Sequence, residues 1–347
     1  MRHINIPVFI PHLGCPNQCI FCNQKYISGT VEFDEAQVVR AIEDVLSTAS
    51  GKDECEIAFF GGSFTGIDRA LMIRLLDIAQ DYVKKGKAVG IRMSTRPDYI
   101  SQEIIDILKG YTITCVELGI QSMNDSVLDY LKRGHTVADT VNATRLLKNN
   151  GIPFVGQMMV GLPGATTEDE VYCAEQICKL GATAARIYPT IVFKQTELEC
   201  LTVRGEYTAL SVDEAVERSA KALRVFTKHN VNCIRIGLSD SENLHSKDTY
   251  VAGPNSPSIG EMVKSRLIFE DICTTLTTTV DFGTSFENKV MHITCPKGFV
   301  SQVVGHKRKN IIEWKKMFGL KNILVYENPD LDNKTIISEI KEENSCV

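Results

Sequence analysis

Short apolar runs alternate with amphipathic stretches of helical period along the first half of the chain. Pro7-Val8-Phe9-Ile10 is apolar and leads into a cysteine-bearing loop, residues 34–47 carry the spacing of a helix, and Cys55-Glu56-Ile57-Ala58-Phe59-Phe60 reads as a buried strand. The succession then repeats, with helices predicted over 68–85, 101–108, 137–149 and 168–180 and strands over 89–93, 115–118, 154–159 and 184–188. Six short strands separated by helices predict an α/β protein with a parallel sheet and right-handed crossovers, because parallel neighbours need a long connection and a helix covers the sheet face as it returns. Alternation alone does not separate a barrel from an open doubly wound sheet.

Beyond residue 195 the pattern changes. Residues 196–275 are helix-rich, interrupted by polar loops at Arg235–Asn243 and Ala252–Pro257, and residues 284–347 read as strand, helix and strand (289–295, 310–318, 322–326) followed by a polar tail. The expected division is a core over 1–195, a helical extension over 196–283 that closes the core, and a small C-terminal α/β unit over 284–347.

Composition narrows the class. A chain of 347 residues with 44% hydrophobic and 23% charged side chains can bury one large core with a small appendage. The start Met1-Arg2-His3-Ile4-Asn5 lacks the pattern of a secretory signal, and no run of about 18 apolar residues offers a membrane span, so the expected location is the cytoplasm, without a membrane partner. In a reducing compartment the 12 cysteines serve as metal ligands or small hydrophobes rather than as disulphides. Net charge is −5 and no long basic stripe exists, which disfavours a nucleic-acid partner. The cluster Lys307-Arg308-Lys309 reads as the solvated face of an amphipathic helix whose other face holds Ile311, Trp314 and Phe318.

The chemistry is concentrated in Gly14-Cys15-Pro16-Asn17-Gln18-Cys19-Ile20-Phe21-Cys22, a C-x3-C-x2-C run. Three thiolates are soft donors suited to clustered iron, and they would bind three irons of a 4Fe-4S cube while leaving the fourth open to an outside ligand. A zinc site would want a fourth Cys or His in a paired knot, and a catalytic Cys19–Cys22 disulphide would leave Cys15 unused. Unusual residues also gather after the strands. Phe60-Gly61-Gly62-Ser63 follows the second, with glycines that allow backbone to approach a ligand; Ser94-Thr95-Arg96 follows the third, suited to a carboxylate or ribose; Gly119-Ile120-Gln121-Ser122 and Arg133-Gly134-His135 follow the fourth; Gln157 and Gly161-Leu162-Pro163-Gly164 belong to the fifth.

The cysteine spacing, with Phe21 before the last cysteine, resembles the radical S-adenosylmethionine (radical SAM) superfamily. The strand-end motifs, with Ile6-Pro7-Val8-Phe9-Ile10-Pro11-His12 and Arg186-Ile187-Tyr188-Pro189-Thr190, resemble its branch containing the Elongator catalytic subunit and oxygen-independent coproporphyrinogen oxidase. The resemblance covers about two-thirds of the chain and implies a partial (β/α)6 barrel with a C-terminal α/β extension. It implies a 4Fe-4S cluster on Cys15, Cys19 and Cys22, with S-adenosylmethionine (SAM) on the fourth iron. Contacts to SAM would come from Phe21, Gly61, Gly62, Ser63, Ser94 and Arg96, with Gln121 and Gln157 on the ribose and Arg133 on the methionine carboxylate. Ser63 departs from the family's Gly-Gly-Glu. A cytosolic electron donor such as flavodoxin or ferredoxin is implied as partner. No basic tRNA-binding surface or acetyltransferase segment is evident, so a small substrate is expected, held by Tyr188, Arg235, Asp240, Glu242 and Asn255. In size and motif set the chain is similar to queuine lyase, which implies a 7-deazaguanine base as substrate. An Elongator-like enzyme acting on tRNA and a non-catalytic iron-sulphur redox protein are the other readings.

Overall fold

The computed structural model describes residues 2–10, 13–15, 19–23, 33–238, 249–279, 286–332 and 335–341. The chain divides into two units, 1–257 and 258–347.

In the first unit seven parallel strands follow one another almost in chain order: β1 (His3–Phe9), β2 (Glu54–Phe60), β3 (Gly90–Thr95), β4 (Ile113–Gln121), β5 (Phe154–Val160), β6 (Ala184–Pro189) and, after one short strand outside the sheet, β8 (Asn232–Ile236). The sheet is a curled half-barrel in a mixed α/β fold. The crossovers run through α1 (Ala36–Thr48), α2 (Arg69–Lys84), α3 (Gln102–Leu108), α4 (Asp125–Tyr130) with α5 (Val137–Asn149), and α6 (Thr167–Leu180). After β6 the chain forms β7 (Val192–Phe193), α7 (Glu197–Val203) and α8 (Val212–Lys228), and β7 pairs antiparallel with β9 (Tyr250–Ala252).

From Arg69 to Lys228 the α-helices start where a polar side chain satisfies one of the first amides. Thr136 with Asp139, Thr166 with Asp169 and Ser211 with Glu214 form reciprocal capping boxes at α5, α6 and α8, each worth about 1 kcal/mol. The outer sheet face is apolar and covered by these helices: Ile57, Phe59, Ile91, Met93, Val116, Leu118, Met158 and Ile187 are all fully buried. Strand alternation then turns Phe60, Arg92, Ser94, Glu117, Gln157, Arg186 and Tyr188 to the opposite, inner face. The outer face supplies the core and the inner face is left for chemistry.

Six strands were expected and seven are present. β8 lies within the stretch read as helix-rich, and it carries Arg235, which the sequence placed in a loop.

The second unit centres on β10 (Val290–Cys295), which pairs parallel with β11 (Asn322–Glu327) and antiparallel with β12 (Ile337–Lys341). Helices α9 (Ile259–Thr279), α10 (Val300–Val304) and α11 (Lys309–Phe318) supply its core with Phe269, Ile272, Val303, Ile311 and Trp314, against Met291, Ile293 and Cys295 of β10. Trp314 stacks on Phe269 at 5.4 Å between ring centroids. α9 contributes Phe269, Ile272 and Leu276 to this core, in a unit that begins at residue 258. Residues 337–341, expected as polar tail, form the edge strand β12.

Candidate active site around the cysteine loop

The cysteine loop is held by backbone. Ile10 N donates to Phe60 O at 2.8 Å, and Ser63 N donates to Leu13 O at 3.2 Å. The glycines explain the closeness of this approach: a Cβ on Gly62 would lie 2.5 Å from Leu13 O, and one on Gly14 would lie 2.2 Å from Ser63 O. Any larger residue at either position forces the two loops apart, so the room these glycines create is filled by the chain itself.

Cys15 Sγ lies 3.4 Å from Ser63 Oγ. Cys22 N donates to Cys19 O at 3.0 Å, closing a turn that brings the last two cysteines onto one bend. Ile20 is anchored on both sides, donating from its N to Leu131 O at 3.2 Å and accepting from Leu198 N at 2.8 Å. Phe21 is half-buried and packs with Leu131, Leu162 and Leu198. All three cysteines are free thiols. Among the described residues no three His, Cys, Asp or Glu side chains converge as a metal-binding group. A cavity of about 910 Å³ opens beside Cys19 and Cys22, lined also by Lys132, Gly134, Thr196 and Glu197.

Around Cys19 the structure gathers buried polar atoms that have no hydrogen-bond partner: Arg96 Nη1, Gln121 Oε1 and Arg133 Nε. The remaining atoms of the same groups are firmly placed. Arg96 grips Asp98 through Nε at 2.9 Å and Nη2 at 2.7 Å and lies over the Tyr99 ring. Arg133 donates from Nη1 to Cys19 Sγ at 3.3 Å and from Nη2 to Gly119 O at 2.9 Å. Gln121 sits in the left-handed region at φ 66°. Gly119 lies where these side chains meet, since a Cβ there would be 2.6 Å from Arg133 Nη2 and 3.1 Å from Gln121 Nε2. Burial, and then the cations of Arg133 and Arg96, push the His135 imidazole down to about 3, so it stays neutral.

Each such orphaned group costs about 1–3 kcal/mol, and their concentration marks a place built for a polar ligand. Cationic donors, an amide acceptor and a neutral imidazole suit a ligand that carries a carboxylate and hydroxyls, and thiols, as soft donors, suit clustered iron. The residues therefore fit SAM and a 4Fe-4S cluster.

The inner face carries a second polar system. Glu117 accepts from Arg92 Nη1 at 3.1 Å, Arg186 Nη2 at 2.7 Å and Gln157 Nε2 at 2.7 Å, while Arg92 Nε also reaches Glu56 at 2.6 Å. Arg186 Nη1 donates to Tyr188 Oη at 3.3 Å, and burial pushes the Tyr188 phenol up. Gln157, which the family resemblance places at the ribose, donates its Nε2 to Glu117. Ser94 is half-buried on the same face. Arg235 is exposed and aligned in register with Arg186. Asn255 stands in a turn, its N donating to Gly253 O at 2.9 Å. Asp240 and Glu242 lie outside the described residues.

The sequence singled out Arg96, Gln121 and Arg133, which the structure brings together, and it missed His135, Arg92, Glu117 and Arg186 as site residues. A signal for the last three was present: each is a charge flanked by apolar neighbours inside a strand, and period-two alternation puts them on one face.

Comparison with known proteins places this geometry. Residues 9–175 match the Radical SAM superfamily, and residues 182–268 match the Radical SAM C-terminal domain. An uncharacterized protein of Methanocaldococcus jannaschii is 32% identical over 227 residues, covering 61% of this chain and 68% of that protein. The tRNA uridine(34) acetyltransferase of the same organism is 34% identical over 145 residues, 41% of this chain and 27% of the acetyltransferase. The structure of an archaeal Elp3 from Methanocaldococcus infernus, lacking its N-terminal residues 1–46, superposes with a TM-score of 0.63 at 26% identity, covering 78% of this chain and 63% of that one. The chain thus spans about a quarter of the acetyltransferase and under two-thirds of the Elp3 chain. With these matches running through the half-barrel and its cysteine loop, the chain belongs to the radical SAM superfamily, whose members bind a 4Fe-4S cluster and S-adenosylmethionine.

Proposed function

We propose that Cys15, Cys19 and Cys22 hold the cluster, that Arg96, Gln121 and Arg133 bind SAM beside it, and that the enzyme takes a hydrogen atom from a small polar substrate on the inner face of the half-barrel. The observation that carries this reading is the set of unpartnered polar atoms around Cys19. A reduced cluster held by these cysteines would supply the electron for reductive cleavage of SAM. The chain's own residues bind and orient. Arg133 holds positive charge against the Cys19 sulphur and keeps Nε–H for a carboxylate, Gln121 Oε1 accepts from a hydroxyl, and Ser63 steadies Cys15.

The inner face suits a heteroaromatic base, with Arg186 and Tyr188 as donors to a ring carbonyl and Glu117 as acceptor for an amino edge. Queuine is the substrate we assign first, in a lyase reaction that releases the aminomethyl-deazaguanine core for queuosine salvage. The relatives named as tRNA uridine(34) acetyltransferases favour a second reading, a radical enzyme acting on tRNA.

The test is anaerobic reconstitution with iron and sulphide, reduction, and mass spectrometry with queuine or with bulk tRNA. A rise in 5'-deoxyadenosine with loss of queuine supports the lyase. A rise with tRNA alone discards it in favour of the second reading, and no deoxyadenosine from a loaded cluster overturns both.

A further inference from the structure

The 258–347 unit has an organisation that the radical chemistry does not use. Its parallel strands β10 and β11 are joined by α10 and α11, and between these helices lies a turn formed by Gly305, His306, Lys307 and Arg308. Gly305, Lys307 and Arg308 have φ of 80°, 52° and 62°. Asn310 locks the turn from behind: its buried Nδ2 donates to Ser265 Oγ at 3.0 Å on α9 and to Val303 O at 3.0 Å on α10. A Cβ on Gly305 would lie 2.9 Å from Asn310 Cγ, so the turn closes onto this side chain only with glycine there. The result is a fixed turn whose four side chains from His306 to Lys309 all face solvent.

Charge supplies an independent observation. From Lys289 to Lys321 the chain carries eight Lys or Arg and a single acid, Glu313, although the whole chain has a net charge of −5. Glu313 is engaged by Arg266 at 3.7 Å and Lys309 at 4.0 Å. Among the described residues no ion pair involves Lys307 or Arg308. The positive charge is therefore concentrated, and at Lys307 and Arg308 no ion pair among the described residues offsets it, in the arrangement that binds a polyanion.

The layout of the unit selects which polyanion. Strand, helix, tight turn, helix, strand is the layout of the KH module, whose interhelical turn clamps the backbone of about four nucleotides of single-stranded RNA. Its usual Gly-x-x-Gly turn has Arg308 at the last position here, in the left-handed conformation that a glycine would adopt. α10 packs beside β11, and β11 is an edge strand whose outer backbone is unpaired in the described sheet. Ile312, 60% exposed on the first turn of α11, offers apolar contact for a base.

We propose that this unit binds single-stranded RNA, with Lys307 and Arg308 holding successive phosphates and the edge of β11 facing the bases. The site goes beyond the substrate reading above and stands whichever substrate the half-barrel takes.

The test uses the full chain and fluorescence anisotropy with a labelled single-stranded RNA of about 12 nucleotides and with its duplex. Single strands should bind more tightly than the duplex, with a log–log salt slope of about −2 to −3, as three or four phosphate contacts give. The double variant Lys307→Glu, Arg308→Glu should weaken binding at least tenfold and flatten the slope by about 1.4. A control pair, Lys84→Glu and Lys85→Glu at the C-terminal end of α2, should bind as the parent does, and both variants should still produce 5'-deoxyadenosine at the parental rate if the parent does so. No binding at about 50 mM salt, equal affinity for the duplex, or full affinity in the double variant overturns the proposal. Because the assay omits SAM and reductant, its failure is distinct from failure of the radical reaction.

Discussion

Arg133 joins two parts of the site with one guanidinium, donating to Cys19 Sγ at 3.3 Å and to the Gly119 carbonyl at 2.9 Å. The end of β4 and the cysteine loop are thereby held together by a group whose Nε still lacks a partner. Replacement by lysine keeps the charge and loses the fork. Arg133→Lys should lower SAM affinity about tenfold, or about 1.4 kcal/mol, in equilibrium dialysis of the reconstituted protein, with iron content unchanged. Gly119→Ala should have a comparable effect by displacing the same guanidinium.

The three cysteines should behave as one set. Cys15→Ala, Cys19→Ala or Cys22→Ala should each abolish retention of iron and sulphide after desalting, together with the visible absorbance of the cluster, whereas Cys200→Ser, an exposed free thiol, should retain both. Full iron content in any of the three variants removes that residue from the ligand set.

Glu117 joins Arg92, Arg186 and Gln157 on the inner face and is itself buried. Glu117→Gln leaves Arg186 without a carboxylate and Arg92 with Glu56 alone. The expected cost is about 3 kcal/mol, read from the midpoint of denaturant unfolding. A loss below about 0.5 kcal/mol would show that water satisfies the guanidinium groups.

Strands β2 to β6 and their helices could be read because each has one strong period and a polar cap or turn at its ends. Four strands escaped: β7 and β9 have only two and three residues, too few to show a period, while β8 and β12 are exposed on both faces or alternate weakly. The identity of the last two comes from pairing with β6 and β10, which no local pattern reports. At the site, cysteine spacing and strand-end polarity pointed to Cys15, Cys19, Cys22, Gln121 and Arg133. His135 escaped because a lone histidine gains its meaning only from the burial and cations around it. Lys307 and Arg308 read as a solvated helix face because their left-handed backbone belongs to the turn before α11, a conformation that composition does not encode.

His135 should shape the pH dependence of the cofactor-free chain. Its imidazole is held down to about 3 in the fold against an ordinary 6.5, so between these values the unfolded chain binds a proton that the folded one does not. Stability from this group is fully present above about 6.5 and falls as pH drops toward 3, by up to about 1.4 kcal/mol per pH unit. His135→Gln should flatten the acid limb of a thermal-stability profile; an unchanged limb would mean that the ring is accessible to water.

Asn310 should matter to the second unit beyond its own bonds. Asn310→Leu removes the donor to Ser265 and Val303 and should destabilise the unit by about 1–3 kcal/mol. It should also loosen the basic turn and weaken RNA binding without altering iron content. Wild-type affinity in that variant would show that the turn holds its shape unaided.

The nearly sequential strand order has a consequence for cluster assembly. Each of β2 to β6 pairs with the strand just before it in the chain, across one crossover. The cysteine loop follows β1, whose strand partner in the described sheet is β2. The cysteine loop therefore lies at the edge of the sheet, where a cluster on its thiols would be reached without prising apart strands already paired.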